Sequence, residues 1–476
     1  MKNYNMKLFI GLILLTTLSA CYKDKGNYEY DMPIEPKVVQ LDTLYTALVG
    51  DSLIIEPKFE NIDAKNISCS WKIYVPETIS PDKFIYSGKS LRTLFGLQAK
   101  KYMARMTLTN TENGMKYFYD FKIQGVTEFS KGSLVLSVEN EKTELSFIKP
   151  DGSVQARIYD AINLKSLPDD PLNIHFLSNK FTGNTPLGYW IICKNDAIRL
   201  DVNNLKQDEV KPNSLANNFF IAPPTMTVGN LMKHPQGVLM GNINGKFYGG
   251  TTSTWDQAGT YGMFGSFADG DYELGPKMIL ADINNSVTFL GYEKNKRQFL
   301  RFNVYGSPMY FGLQYAVTST AQFDPTNLQL DLIDMVQVNS ADTYAYCKDS
   351  GGEIYELKFT YNFNGPFMFT PLHKRKFLNQ ELMKKQPKML ATRTGNIYLA
   401  ADNKVYRYNP INESLIEIQT VFTKPVSMIK LSDDENSLIV GTEGTIYYCN
   451  IETGQNGGLI KKIEGIPGAP VDMTWR

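Results

Sequence analysis

The chain has 476 residues, with 49 Lys plus Arg against 49 Asp plus Glu and a formal net charge of zero. That balance offers no electrostatic pull on nucleic acid, and no basic run suggests adhesion to an anionic membrane surface. The length is ample for large cores and suggests two or three domains, while 28 Tyr and 26 Phe, mostly inside alternating segments, point to β structure.

The first twenty residues read as a signal sequence: Lys2 and Lys7 precede an apolar run from Leu8 to Leu15, and the small residues Ser19 and Ala20 precede Cys21. The apolar run is too short to span a bilayer. Leu18-Ser19-Ala20-Cys21 resembles the lipobox cut by lipoprotein signal peptidase. The resemblance implies that Cys21 carries palmitate-type acyl chains, becomes the mature N-terminus and attaches the protein to a membrane by lipid alone. Each buried lipid methylene contributes about 0.8 kcal/mol, so anchors with two or more chains hold stably. Residues 21–35 read as a tether, because Tyr22-Lys23-Asp24-Lys25-Gly26-Asn27 is charged and has no apolar periodicity. This stretch is similar to the lysine-plus-acid export signal of Bacteroidetes surface lipoproteins, although Lys25 stands where a second acid is common. It implies an outward-facing place on the outer membrane.

Residues 36–126 alternate in short runs broken by turn residues. The clearest strands are Ser52 to Pro57, Ile67 to Val75, Tyr102 to Asn110 and Met115 to Ile123. Tyr102, Ala104, Met106 and Leu108 share one face, since side chains alternate across a strand. Asn113-Gly114 signals a two-residue hairpin, because both positions of such a turn favour φ > 0. Trp71 reads as the core plug of an immunoglobulin-like β-sandwich with no bracing disulfide. The stretch resembles the PKD-like domains of Bacteroidetes lipoproteins, mainly through Tyr102-Met103-Ala104-Arg105-Met106-Thr107-Leu108-Thr109-Asn110 and the closing hairpin.

Residues 127–476 repeat a three-strand meander. The last unit, Val426 to Leu431, Ser437 to Gly441 and Thr445 to Asn450, is preceded by Lys388 to Ala391, Ile397 to Ala401 and Val405 to Tyr408. Earlier copies are Val336 to Val338, Thr343 to Cys347 and Ile354 to Lys358, then Val287 to Tyr292 with Gln298 to Phe302. Before these come Leu231 to His234, Gly237 to Asn242 and Lys246 to Gly250, then Ile174 to Leu177, Tyr189 to Cys193 and Ala197 to Asp201. A shorter first copy pairs Ser133 to Val138 with Thr143 to Ile148 around Asn140-Glu141. The turns recur at intervals of about 40 to 56 residues, the spacing of propeller blades. Seven units predict a seven-bladed β-propeller, with Pro470 to Trp475 completing the first blade. An irregular sandwich would not explain the even spacing.

The remaining cysteines, Cys69, Cys193, Cys347 and Cys449, lie far apart within apolar runs and read as buried free thiols. His175 and His234 fall on the first strands of their units, beside the expected channel, where a shared polar site is set against the commoner role of hydrogen-bonded spectator. His373 is the third histidine. Asp269-Gly270-Asp271-Tyr272-Glu273 clusters oxygens but misplaces the glycine of a calcium loop and lacks its terminal Glu, which favours a solvated acidic turn. No HExxH, Gly-x-Ser-x-Gly, Walker loop or Cys/His cluster appears, so no metal, cofactor or catalytic residue is expected. A Gly-rich aromatic insertion runs from Phe247 and Tyr248 to Phe267, and a second includes Tyr305 to Phe311. Glycines let a ligand approach the backbone, and aromatic faces stack on sugar rings or apolar peptide side chains. Trp255, Tyr261, Phe264 and Tyr310 are the candidate ligand-binding residues, with packing between blades as the alternative for each. Trp190, mid-strand, reads as core.

Lipobox, tether, sandwich and propeller together resemble the PKD-like lipoproteins of Bacteroidetes. The resemblance implies a non-catalytic accessory of SusC/SusD-type nutrient uptake, partnered by the transporter and other surface lipoproteins and capturing an oligomeric glycan or peptide. Two other readings stay open: a structural subunit that docks on the transporter without a ligand, and a hydrolase or lyase using the propeller channel.

Overall fold

The structure is a computed structural model, which describes residues 35–75, 84–180, 183–209, 211–254, 259–283, 286–303, 309–310, 316–317, 322–339, 342–362 and 368–476. The chain divides into two compact units, the first ending at Gly125 and the second beginning at Val126.

The first unit is a β-sandwich. Its main sheet orders Leu44–Leu48, Lys116–Val126, Lys101–Asn110, Ile67–Tyr74 and Ile85–Ser87, and its smaller pairs are Ser52–Ile55 with Leu91–Leu94 and Lys37–Val39 with Lys58–Glu60. Tyr102, Ala104, Met106 and Leu108 are all buried, as their alternation predicts. Tyr102, Ala104 and Met106 meet Leu53, Ile55 and Leu91 of the smaller sheet in one core, while Leu108 packs with Ile67 and Cys69 in a second, smaller cluster. Trp71 sits in that core, edge-on to Phe121 at 5.9 Å, and its indole N–H donates to the Gly88 carbonyl at 2.7 Å. The burial satisfies both the apolar and the polar part of the ring.

The hairpin at Asn113-Gly114 differs from expectation. Only Gly114 has positive φ (74°), and the last paired residues are Thr109 and Lys116. The loop is longer because side chains take over its backbone donors: the Asn110 amide oxygen accepts from Glu112 N–H, and that of Asn113 accepts from Met115 N–H, both at 2.9 Å.

The second unit is a seven-bladed propeller. Its inner strands are Ala469–Trp475, Pro171–Asn179, Val228–Lys233, Leu274–Ile283, Asp331–Gln337, Lys388–Ala391 and Val426–Leu431, for blades 1 to 7. Each contacts the next, and the seventh returns to the first, so the ring is closed. Blade 1 joins the two ends of the unit: Ser133–Glu139 pairs with Lys142–Ile148 on one side and with Ala469–Trp475 on the other. The C-terminal strand therefore completes the first blade, as the sequence suggests. The turn at Asn140-Glu141 is the two-residue kind, with both residues at positive φ (48° and 64°).

The energetics follow from this layering. Seven apolar clusters fill the seven gaps between neighbouring blades. In blade 6, Ile397 and Leu399 pack toward blade 5 while Tyr398 and Ala400 pack toward blade 7. Second strands are thus buried on both faces, and Ile397–Ala401 and Leu239–Ile243 are buried at every residue. Cys69, Cys193, Cys347 and Cys449 are buried free thiols.

The inner strand of blade 4 was not expected from the sequence. Gly275-Pro276 breaks its apolar pattern, and a register shift between Leu274 and Met278 absorbs the interruption. Outer strands such as Met368–Lys376, Ser414–Glu417 and Gly458–Glu464 extend the expected three-strand units. Among the described residues, no helix is long and apolar enough to cross a membrane.

Candidate functional site

A cavity of about 720 Å³ opens over blades 4, 5 and 6, at the end where their inner strands begin. Gly275, Pro276 and Lys277 from blade 4, Leu332, Ile333 and Asp334 from blade 5 and Lys388 from blade 6 form its inner wall. Lys294, just after the second strand of blade 4, and Lys348, the last residue of the second strand of blade 5, add to it, and the segment entering blade 6 adds Met383, Lys384 and Gln386. Lys277 donates to the largely buried Asp334 carboxylate at 2.6 Å. Burial nonetheless pushes the Asp334 carboxyl above its usual range, against the pull of Lys277. Lys388 is open to water yet walled by protein, and burial, reinforced by the nearby charge of Lys277, holds its ammonium below the usual lysine range.

A second polar group lies on the inner strands of blades 7, 1, 2 and 3. Lys430 donates to Asp472 at 2.6 Å, and the other oxygen of Asp472 accepts from Ile174 N–H at 3.0 Å. His175 Nε2 lies 2.9 Å from the Leu231 carbonyl. A carbonyl only accepts, so Nε2 carries the proton. Burial lowers the His175 pKa, with Lys430 and Lys233 adding to the effect and Asp472 opposing it.

A third cluster is closed. Glu356 of blade 5 is fully buried and bound by Arg375 at 2.6 Å, His373 at 3.1 Å and the Tyr346 hydroxyl at 3.1 Å. Its charge is matched inside the blade, which makes it an internal brace.

The sequence candidates fall in different places. Cys21 and Trp255 lie outside the described residues. Tyr310 ends the strand Met309–Tyr310 in blade 4. Tyr261 is half-buried: its hydroxyl donates to the Gln236 carbonyl at 2.6 Å and accepts from the Asn179 amide at 3.0 Å, so it fastens loops together. Phe264 does not face a ligand. It is completely buried, its ring against Phe219 and Tyr248, because the glycines around it let the loop fold back on the blade 2–3 core. Trp190 is core, as read from its mid-strand position.

His175 is on an inner strand as expected, but His234 lies just past one. It is buried in the turn that follows, its Nδ1 accepting from Gln236 N–H at 3.2 Å. In the acidic turn, Asp271 and Glu273 are engaged by Lys296 at 2.8 Å and Lys294 at 2.5 Å. Among the described residues, no group of three or more His, Cys, Asp and Glu is placed to hold a metal ion. The lysines of the cavity escaped the sequence reading. They are scattered over more than a hundred residues, and the strand that carries Lys277 was itself unseen.

No curated protein matches the chain. Solved structures give distant likenesses. A quinoprotein alcohol dehydrogenase-like protein from Bacteroides thetaiotaomicron is 13% identical with a TM-score of 0.42, over 92% of this chain and 99% of that one. A functionally unknown protein from Desulfotomaculum acetoxidans is 12% identical with a TM-score of 0.42, over 73% and 99%. The Cps50 (Swd1) β-propeller domain from Myceliophteria thermophila is 10% identical with a TM-score of 0.38, over 63% and 89%. The closed ring is therefore read from this chain's own strand pairing. The model of the PKD-like family matches residues 21–171, from Cys21 through the sandwich and the N-terminal strands of blade 1 to the start of blade 2.

Proposed function

We propose that the protein is an outward-facing outer-membrane lipoprotein, anchored through acyl chains on Cys21, that captures an oligomeric nutrient as a non-catalytic accessory of a SusC/SusD-type uptake system. The cavity over blades 4 to 6 carries this reading. Its volume of about 720 Å³ lies within the range of ligand sites, ~300–1,000 Å³, and suits a short glycan or peptide. Its wall belongs to three blades of a closed ring, so it is held in shape before a ligand arrives, which lowers the ordering cost of binding. The signal sequence, the lipobox and a family match that starts at Cys21 support the anchor.

The test is purification of the full chain from mildly solubilised outer membranes of its native cell. Recovery of transporter components, with acyl chains on Cys21 by mass spectrometry, is the expected result. A free, unacylated monomer in the soluble fraction would overturn the proposal.

A further inference from the structure

The charges around the cavity do not balance. Five lysines face it, Lys277, Lys294, Lys348, Lys384 and Lys388, against two aspartates, Asp331 and Asp334. Both aspartates are engaged, Asp331 by Arg297 at 2.8 Å and Asp334 by Lys277. Lys294 is held by Glu273 and Lys384 by Glu381, each at 2.5 Å. Among the described residues, neither Lys348 nor Lys388 has a carboxylate within ion-pair distance.

Lys348 and Lys388 thus line one concavity without an ion-pair partner, and Lys388 also bears the repulsion of Lys277. Such an arrangement costs stability in the empty protein, and an anion entering the cavity relieves it. Low-dielectric walls concentrate the positive field at the opening and raise the local concentration of anions. Lysines are flexible point charges, so they select for charge and tolerate variation in the geometry of the acid group. Between them, Pro276, Leu332 and Met383 supply apolar surface for the body of a ligand.

We infer that this cavity takes a short oligomer bearing two or more carboxylates, one set against Lys388 and Lys277 and another against Lys348. The inference rests on the capture reading above and names the ligand chemistry of that site. The carboxylate is the acidic group that glycans and peptides have in common, so either an oligouronate or an acidic peptide satisfies it.

The experiment is calorimetric titration of the full lipidated chain in neutral detergent with trigalacturonate, triglutamate and neutral maltotriose. At least one charged trimer binds, and the one that binds identifies the source as sugar or peptide. Maltotriose does not bind, and affinity for the charged trimer falls as salt rises. Lys348→Gln with Lys388→Gln weakens binding at least tenfold, while the melting temperature stays the same or rises, because like-charge crowding is removed. Maltotriose binding as well as the charged trimers would overturn the carboxylate preference and leave capture standing. Unchanged affinity in the double variant, or no charged trimer binding at all, would overturn the inference, while membrane co-purification decides capture separately.

Discussion

At His175 a ring is kept neutral by its surroundings. Burial disfavours the charged form and Lys430 and Lys233 add repulsion, which Asp472 and the hydrogen bond from Nε2–H to the Leu231 carbonyl only partly offset. The folded-state pKa is therefore below the unfolded value of about 6.5. A histidine shifted this way contributes stability that is present above the unfolded pKa and lost as pH falls through the folded one. The urea midpoint of the protein should drop between about pH 7.5 and 5, and His175→Gln, which retains a donor but does not titrate, should show a smaller drop. An identical drop in both would remove His175 from the acid response. In the cavity over blades 4 to 6, Lys388 and Lys277 repel each other, as expected where binding takes precedence over stability.

Among the strands, ring closure depends on one glycine. Gly468 precedes the closing strand with φ at 63°, and a Cβ there would lie 2.0 Å from the Val138 carbonyl oxygen. The obstacle is backbone, so no rotamer change relieves it. Gly468→Ala should cost more than about 2 kcal/mol, the left-handed penalty plus the displacement of blade 1, measured by urea unfolding. A loss below that size would mean the closing strand can shift without consequence. Strand patterns also show what sequence alone reveals. Strands with one wet face, such as Lys101–Asn110, alternate and were legible. Second strands buried between two blades read as short apolar runs, and their regular spacing exposed the propeller. Leu274–Ile283 was hidden by Gly275-Pro276, and Phe264 was misplaced because an aromatic beside glycines looks the same in sequence whether its loop projects or folds back on the core. The cavity needs three such strands side by side, so its lysines were visible as residues but not as a group.

At the scale of the whole molecule, each of the seven gaps between blades holds an apolar cluster of its own. Met473 of the closing strand is fully buried in the blade 7–1 cluster. Arg476 extends the closure, its N–H donating to the Gly132 carbonyl at 3.1 Å and its guanidinium to the Val202 carbonyl at 2.7 Å. The sandwich has a separate core around Trp71 and Leu53. Because neither core borrows residues from the other unit, residues 126–476 produced alone should fold cooperatively and melt close to the propeller transition of the full chain, by calorimetry. The fragment should also retain the charged trimer that the full chain binds, since every residue lining the cavity lies within it. Removing Ala469–Arg476 from the same fragment should abolish both properties, because blade 1 then loses its inner strand and presents the open edge of Ser133–Glu139 for aggregation. A soluble, cooperatively folding protein after that deletion would show that the ring holds without its closing strand.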